Sequence, residues 1–202
     1  MSATISIVIS AIALFVSALT AWLTLLRRGT VLMTRPTTVY FGQDGGEGRQ
    51  SLKIYLRTLL YATSKRGCIV EGMYVRLKRR ETIQNFNVWV YGEKNLQRGS
   101  GIFVSENGFS SNHHFLLPHD GTEFSFLSGN YVIEVHASVI GEKSSRLLNS
   151  ISLSVTPEQA EAIKSSDQGL YFDWGPEVGQ YHSHLRPHPK NKLPPLLQEI
   201  FN

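Results

Sequence analysis

Seven histidines, one cysteine and the stretch Ser110-Ser111-Asn112-His113-His114 are the residues of this 202-residue chain whose types suit metal or nucleophilic chemistry. A zinc centre needs ligands whose spacing turns them toward one point. Here the spacing works against convergence. His113 and His114 are adjacent, so on a strand they point to opposite faces. His182 and His184 share a face when extended, but no third ligand at fixed spacing accompanies them, and His119, His136 and His188 stand apart. Ser110, Ser111 and His113 are close in sequence, yet no Gly-x-Ser-x-Gly elbow surrounds them, and neighbouring positions do not make a triad. Cys68 follows Lys65-Arg66-Gly67, cations able to lower a thiol pKa, while its place at the head of an apolar strand suits a small core residue. There is no phosphate-binding glycine loop and no His-Glu-x-x-His, and Glu134 alternates with apolar residues as a solvent-facing position does. No catalytic residue, metal or cofactor is expected. One enzymatic or ligand-binding alternative remains, a pocket in which loops around His113 and His114 meet Trp174, whose ring offers a stacking face to a carbohydrate or nucleotide.

The cations are grouped more tellingly. Arg76, Lys78, Arg79 and Arg80 cluster at one end of a predicted strand, and Lys65 and Arg66 lie at its other end. Beside an anionic leaflet each such charge contributes roughly 1 kcal/mol, so a basic edge of this kind suits lipid headgroups; a solvated hairpin tip has the same composition. With 20 Lys and Arg against 16 Asp and Glu, the balance is too even for a nucleic-acid binder, and none is expected as a partner.

What must position these residues is the N-terminus. Residues 1–26 carry no charged side chain, and Arg27 and Arg28 follow at once. Residues 3–26, at about 1.5 Å rise each, reach roughly 36 Å, enough to cross a hydrocarbon core with some tilt. Val16-Ser17-Ala18 resembles a signal-cleavage triplet, but the apolar run continues past it and no basic residue precedes it, so a retained anchor is expected. Arg27, Arg28 and Arg35 all follow the span and Trp22 sits at its interfacial end, which places the N-terminus outside and the domain in the cytoplasm of a single-pass cell-membrane protein. A lone cysteine and the lack of an Asn-x-Ser/Thr acceptor agree, without excluding an extracytoplasmic domain. Ala3, Ser6, Ser10, Ala13, Ser17, Thr20 and Thr24 recur at spacings of three and four, forming a small, hydroxyl-bearing stripe. Such a stripe suits self-association or docking on another membrane protein's helix; alternatively its hydroxyls bond back to their own helix.

After the anchor (1–28) the chain reads as strands: 30–34, 39–41, 52–62, 68–78, 82–91, 101–105, 113–117, 123–126, 130–140 and 146–155. With the short pieces 30–34 and 39–41 counted as at most one strand, about eight or nine strands at this rhythm suit a β-sandwich or barrel. Gly129-Asn130-Tyr131 through Val135 has a Gly-x-Tyr-x-x-x-Val form that resembles the penultimate strand of immunoglobulin-like and fibronectin-like sandwiches. The resemblance implies a Greek-key sandwich over 29–155 with Tyr131 making a corner, and the absence of a cysteine pair separates it from antibody-type domains. Thr156-Pro157-Glu158-Gln159 carries an N-cap, an N1 proline and a capping-box glutamine, predicting one short helix to about residue 164. Within 156–185 the aromatic stretch 169–176 is expected to pack onto the sandwich, and 186–202 reads as a proline-rich tail. The whole points to a non-enzymatic adaptor, sensor or assembly subunit whose partners are the bilayer, a membrane helix and a protein bound by the β-domain.

Overall fold

The computed structural model describes residues 2–27, 29–44, 51–92, 96–118, 123–164 and 168–187. Helix α1 (Ser2–Ala21) runs into a wide π turn over Trp22–Leu26, closed by the Arg27 N–H donating to the Trp22 carbonyl at 2.8 Å. Every described side chain of α1 is exposed, and Ala3–Leu26 is long and apolar enough to cross a membrane. The π turn fits its sequence, since Thr20 and Thr24 hydroxyls bond to carbonyls four residues back and draw them from the ladder.

Beyond α1 the protein is a mostly antiparallel β-domain of two sheets with one short helix. The first sheet runs β13 (Gln180–Pro187), β12 (Gln168–Gly175), β2 (Thr38–Gln43), β3 (Leu52–Ala62), β9 (Phe109–Leu116), β6 (Val88–Tyr91), β7 (Gln97–Arg98), with β1 (Val31–Met33) beside the far end of β3. In the second, β11 (Arg146–Val155), β10 (Gly129–Val139) and β4 (Cys68–Arg79) are followed by β5 (Thr82–Phe86) along one half of β4 and β8 (Ile102–Val104) along the other. Alternation drives the layering. On β10, Tyr131, Ile133, Val135, Ala137 and Val139 are buried while the residues between them are half-buried. They meet Val39, Phe41, Ile54 and Leu56 from the first sheet in one apolar cluster. Phe41 is its hub, stacked on Phe126 at 4.7 Å and edge-on to Tyr131 and Phe172 at 5.7 and 5.4 Å.

Three departures from the sequence reading have physical causes. The run 82–91 is two strands in different sheets, because buried Phe86 and Trp89 are three residues apart and a strand presents every second residue to one side; the chain changes sheet at Asn87. Residues 123–126 are not a strand, although Phe126 is buried in the core. The aromatic stretch after the capped helix α2 (Pro157–Lys164) does more than rest on a sheet: β12 hydrogen-bonds to β2 and with β13 makes the first sheet two strands wider.

Candidate functional site

That widening creates a cleft. Sheet one overhangs the edge strand β11, and the space between them, about 490 Å³, is walled by residues 150–154 of β11 and floored by Phe172, Trp174, Tyr181 and Ser183. Beside the cleft, Pro36, which lacks an N–H, separates β1 from β2 along β3. Thr34 and Thr37 resume the ladder on either side, donating to the Leu59 and Arg57 carbonyls at 2.9 Å each, and the Thr34 hydroxyl accepts the Leu59 N–H at 3.0 Å. The break turns Arg35 outward, its guanidinium 4.1 Å from the centre of the Trp174 ring. Tyr181 meets Trp174 edge-on at 5.1 Å and donates its hydroxyl to the Pro36 carbonyl at 2.7 Å, and burial pushes its pKa up to about 12, so it stays a donor at neutral pH. At the far end α2 is pinned to the hairpin by the Gln159 amide donating to the Ser183 hydroxyl at 2.9 Å.

Among the described residues the lining contains no carboxylate, histidine or cysteine, and Arg35 is its one charged side chain. It offers aromatic surface, serine and tyrosine hydroxyls, the Arg35 guanidinium and the main chain of β11. Among the described residues no strand pairs with the outer edge of β11, whose alternate N–H and C=O groups point away from β10.

No family model, curated protein or solved structure matches this chain.

The residues singled out by chemistry fall elsewhere. His113 is completely buried in the core, its Nδ1 accepting the Trp89 indole N–H at 3.2 Å, and burial lowers its pKa to about 4. His114 lies on the opposite, outer face of sheet one, 5.0 Å from the Tyr55 ring; burial first, then Lys53 and His113, lower its pKa to about 3. The structure does not bring either histidine into the cleft with Trp174. His184 and His182 pair with Tyr171 and Asp173 in the β12–β13 ladder, and no group of three metal-ligating side chains converges among the described residues. Ser111 is buried, its hydroxyl directed to the Asn112 carbonyl rather than to His113. Cys68 is half-buried against the core; burial and then Glu142 push its thiol pKa up, opposite to an activated cysteine.

The cations divide. Lys65 and Arg66 are exposed in the β3–β4 turn, where the Arg66 guanidinium donates to the Leu26 carbonyl at 3.5 Å, beside Arg27 at the foot of α1. Arg76 and Lys78 stand farther along the outer face, where both approach Glu134, and the Arg79 guanidinium donates to the Ser128 carbonyl at 3.0 Å. The Lys78 hydrogen bond holds the Glu134 carboxyl below its usual range. Arg80, in a positive-φ turn, ends this group, whose members on β4 stand roughly 26–36 Å from the start of that strand at its usual rise, so the cations lie toward its two ends. Along α1, four hydroxyls of the stripe that also holds Ala3, Ser6 and Ala13 bond back to their own helix: Ser10, Ser17, Thr20 and Thr24 donate to the carbonyls of Ser6, Ala13, Val16 and Thr20. Trp22 is half exposed at the lower end. Arg28, His119, His188 and residues 188–202 of the proline-rich tail lie outside the described residues.

Tyr181 and the β11 serines are not among the residues the sequence points to, and Arg35 stands out there only as a charge that follows the span. The available signals were Pro36, which cannot continue a ladder, and the alternation Ser150, Ser152, Ser154 between buried Ile151 and Leu153.

Proposed function

We propose that this chain is a non-enzymatic, single-pass cell-membrane protein that presents an immunoglobulin-like Greek-key sandwich at the cytoplasmic face and captures an extended segment of a protein partner along β11. It would act as an adaptor, sensor or assembly subunit. The observation carrying the reading is an unpaired strand edge set over an aromatic floor, an arrangement suited to strand addition: the main chain supplies hydrogen bonds and the floor receives alternate side chains. Support for the fold assignment is the order β2-β3-β9-β6 facing β11-β10-β4-β5, together with the Tyr131 hydroxyl, which donates to the Leu127 carbonyl at 2.6 Å and accepts the Leu127 N–H at 2.8 Å. Support for the anchor and its direction is the uncharged α1 followed by Arg27 and Arg28. A sugar or base stacked on Trp174 is disfavoured because Arg35 occupies one ring face.

The test is photocrosslinking in cells from position 152, with position 83 on the opposite edge strand as control. A single membrane-protein adduct is expected from 152, crosslinked within an extended segment, and Trp174→Ala should reduce it several-fold while circular dichroism stays unchanged. Equal adducts at both positions, or insensitivity to Trp174→Ala, would remove the cleft from the function.

A further inference from the structure

Three large apolar side chains lie in one exposed row at the end of the domain where α1 emerges. Phe103 and Ile69 are direct partners across β8 and β4, and the Ile140 N–H, just past β10, donates to the Ile69 carbonyl at 3.0 Å. Partners share a face, so the three side chains stand together on the outer side of sheet two, while the next positions, Ile102, Val70 and Val139, turn inward and are buried. Phe103 and Ile140 are each 60 % exposed and Ile69 43 %.

The row is continuous with the foot of the apolar helix. The Phe103 ring lies over Gly67, where an added Cβ would sit 2.5 Å from the ring carbon Cζ. The preceding Arg66 reaches the Leu26 carbonyl at 3.5 Å. The tether cannot carry the domain away, because Thr30 is clasped to Thr63, its N–H donating to the Thr63 hydroxyl at 2.8 Å and its carbonyl accepting the Thr63 N–H at 3.0 Å. Four residue steps from Leu26 to Thr30 span at most ~14 Å. Lys65 and Arg66 precede Ile69 in the β3–β4 turn, Arg27 follows Leu26 at the helix foot and Lys143 lies three residues past Ile140; of the acids at this end Glu142 is held by Arg146 at 2.8 Å, leaving Glu71 and Glu106. Exposed apolar side chains with cations close by in the chain, within reach of a hydrophobic helix, match the layered chemistry of a lipid interface.

We propose that Phe103, Ile69 and Ile140 insert into the interfacial region of the same bilayer that holds α1, so that the domain lies against the membrane on this end. This rests on α1 being embedded. The occupant is lipid rather than protein because the row and the helix foot form one surface, closed to a broad partner by the short tether.

The full-length protein, with Cys68→Ser, is reconstituted into phosphatidylcholine vesicles containing phosphatidylglycerol. An environment-sensitive fluorophore is attached through Phe103→Cys, Ile140→Cys, Ile83→Cys or Leu14→Cys, and quenching by lipids carrying a nitroxide near the headgroup or deep in the chain is measured. Labels at 103 and 140 should be quenched by the shallow nitroxide several-fold more than the label at 83, an equally exposed position on β5 at the far end of the domain. Quenching at 103 and 140 no greater than at 83, while the label at 14 responds to the deep nitroxide, overturns the lipid contact and leaves the anchor standing. No deep quenching at 14 removes the anchor instead, and the proposal with it. Shielding at 103 and 140 that disappears at one protein per vesicle assigns the row to a second copy and overturns the proposal.

Discussion

The buried histidines make this domain acid-sensitive between pH 7 and 5. His113 titrates near 4 and His114 near 3 in the folded protein, both lowered chiefly by burial, against an ordinary value of 6.5. Because the unfolded chain takes up these protons first, their contribution to stability is complete above about pH 6.5 and is lost as the pH falls toward the folded values. At pH 5 each site is roughly 1.5 units below the unfolded value, which at about 1.4 kcal/mol per unit is ~2 kcal/mol per histidine and ~4 kcal/mol for the pair. That is a large part of the 5–15 kcal/mol typical of a folded domain. Urea denaturation of the full-length protein in nanodiscs, followed by tryptophan fluorescence at pH 7 and 5, measures the loss directly, and Glu134, with its pKa held low, adds little above pH 5. Replacing His114 by Gln, which keeps a polar side chain beside Tyr55, should remove about half of the pH dependence. Stability that is flat between pH 7 and 5, or assigned His113 and His114 resonances titrating near 6.5, would refute the assignment of both rings as buried neutral bases.

Two further substitutions probe the framework. Tyr131→Phe removes the hydroxyl that serves both polar groups of Leu127, and should cost about 1–3 kcal/mol in the same denaturation assay with little change in its urea slope. Gly169→Ala would place a methyl 2.2 Å from the Tyr40 ring on the outer face of sheet one, displacing an almost fully buried tyrosine; a loss of about 1–3 kcal/mol is expected, largely relieved by Tyr40→Ala in the same chain.

Local rules made much of this architecture readable. The uncharged opening, the capping box, met by the Gln159 side chain accepting the Thr156 N–H at 3.0 Å, and the alternation on β10 are decided by neighbours in sequence. The Tyr131 contact is likewise local, four residues back to Leu127. What stayed hidden depends on distance. Nothing near Trp174 announces that its ring will meet Arg35, more than a hundred residues earlier, or that β12 will align with β2 so that Asp173 accepts a hydrogen bond from the Thr38 hydroxyl at 2.9 Å. His113 looked like a reagent because residue type is visible in a sequence and burial is not; its imidazole serves instead as an acceptor for Trp89.

The clasp between Thr30 and Thr63 has a consequence for partner choice. With α1 embedded as proposed, a domain fastened so near its anchor cannot swing, and β11 rises from its membrane-side end at Arg146 to the cleft at residues 150–154. At about 3.3 Å per residue, that sets the docking edge roughly 13–26 Å above the point where the strand begins. If β11 receives a partner as proposed, the protein would act as a ruler as well as a receptor, choosing by elevation. A segment a few residues beyond a neighbour's own membrane helix would arrive at the right height, and the same sequence displayed farther out would pass overhead.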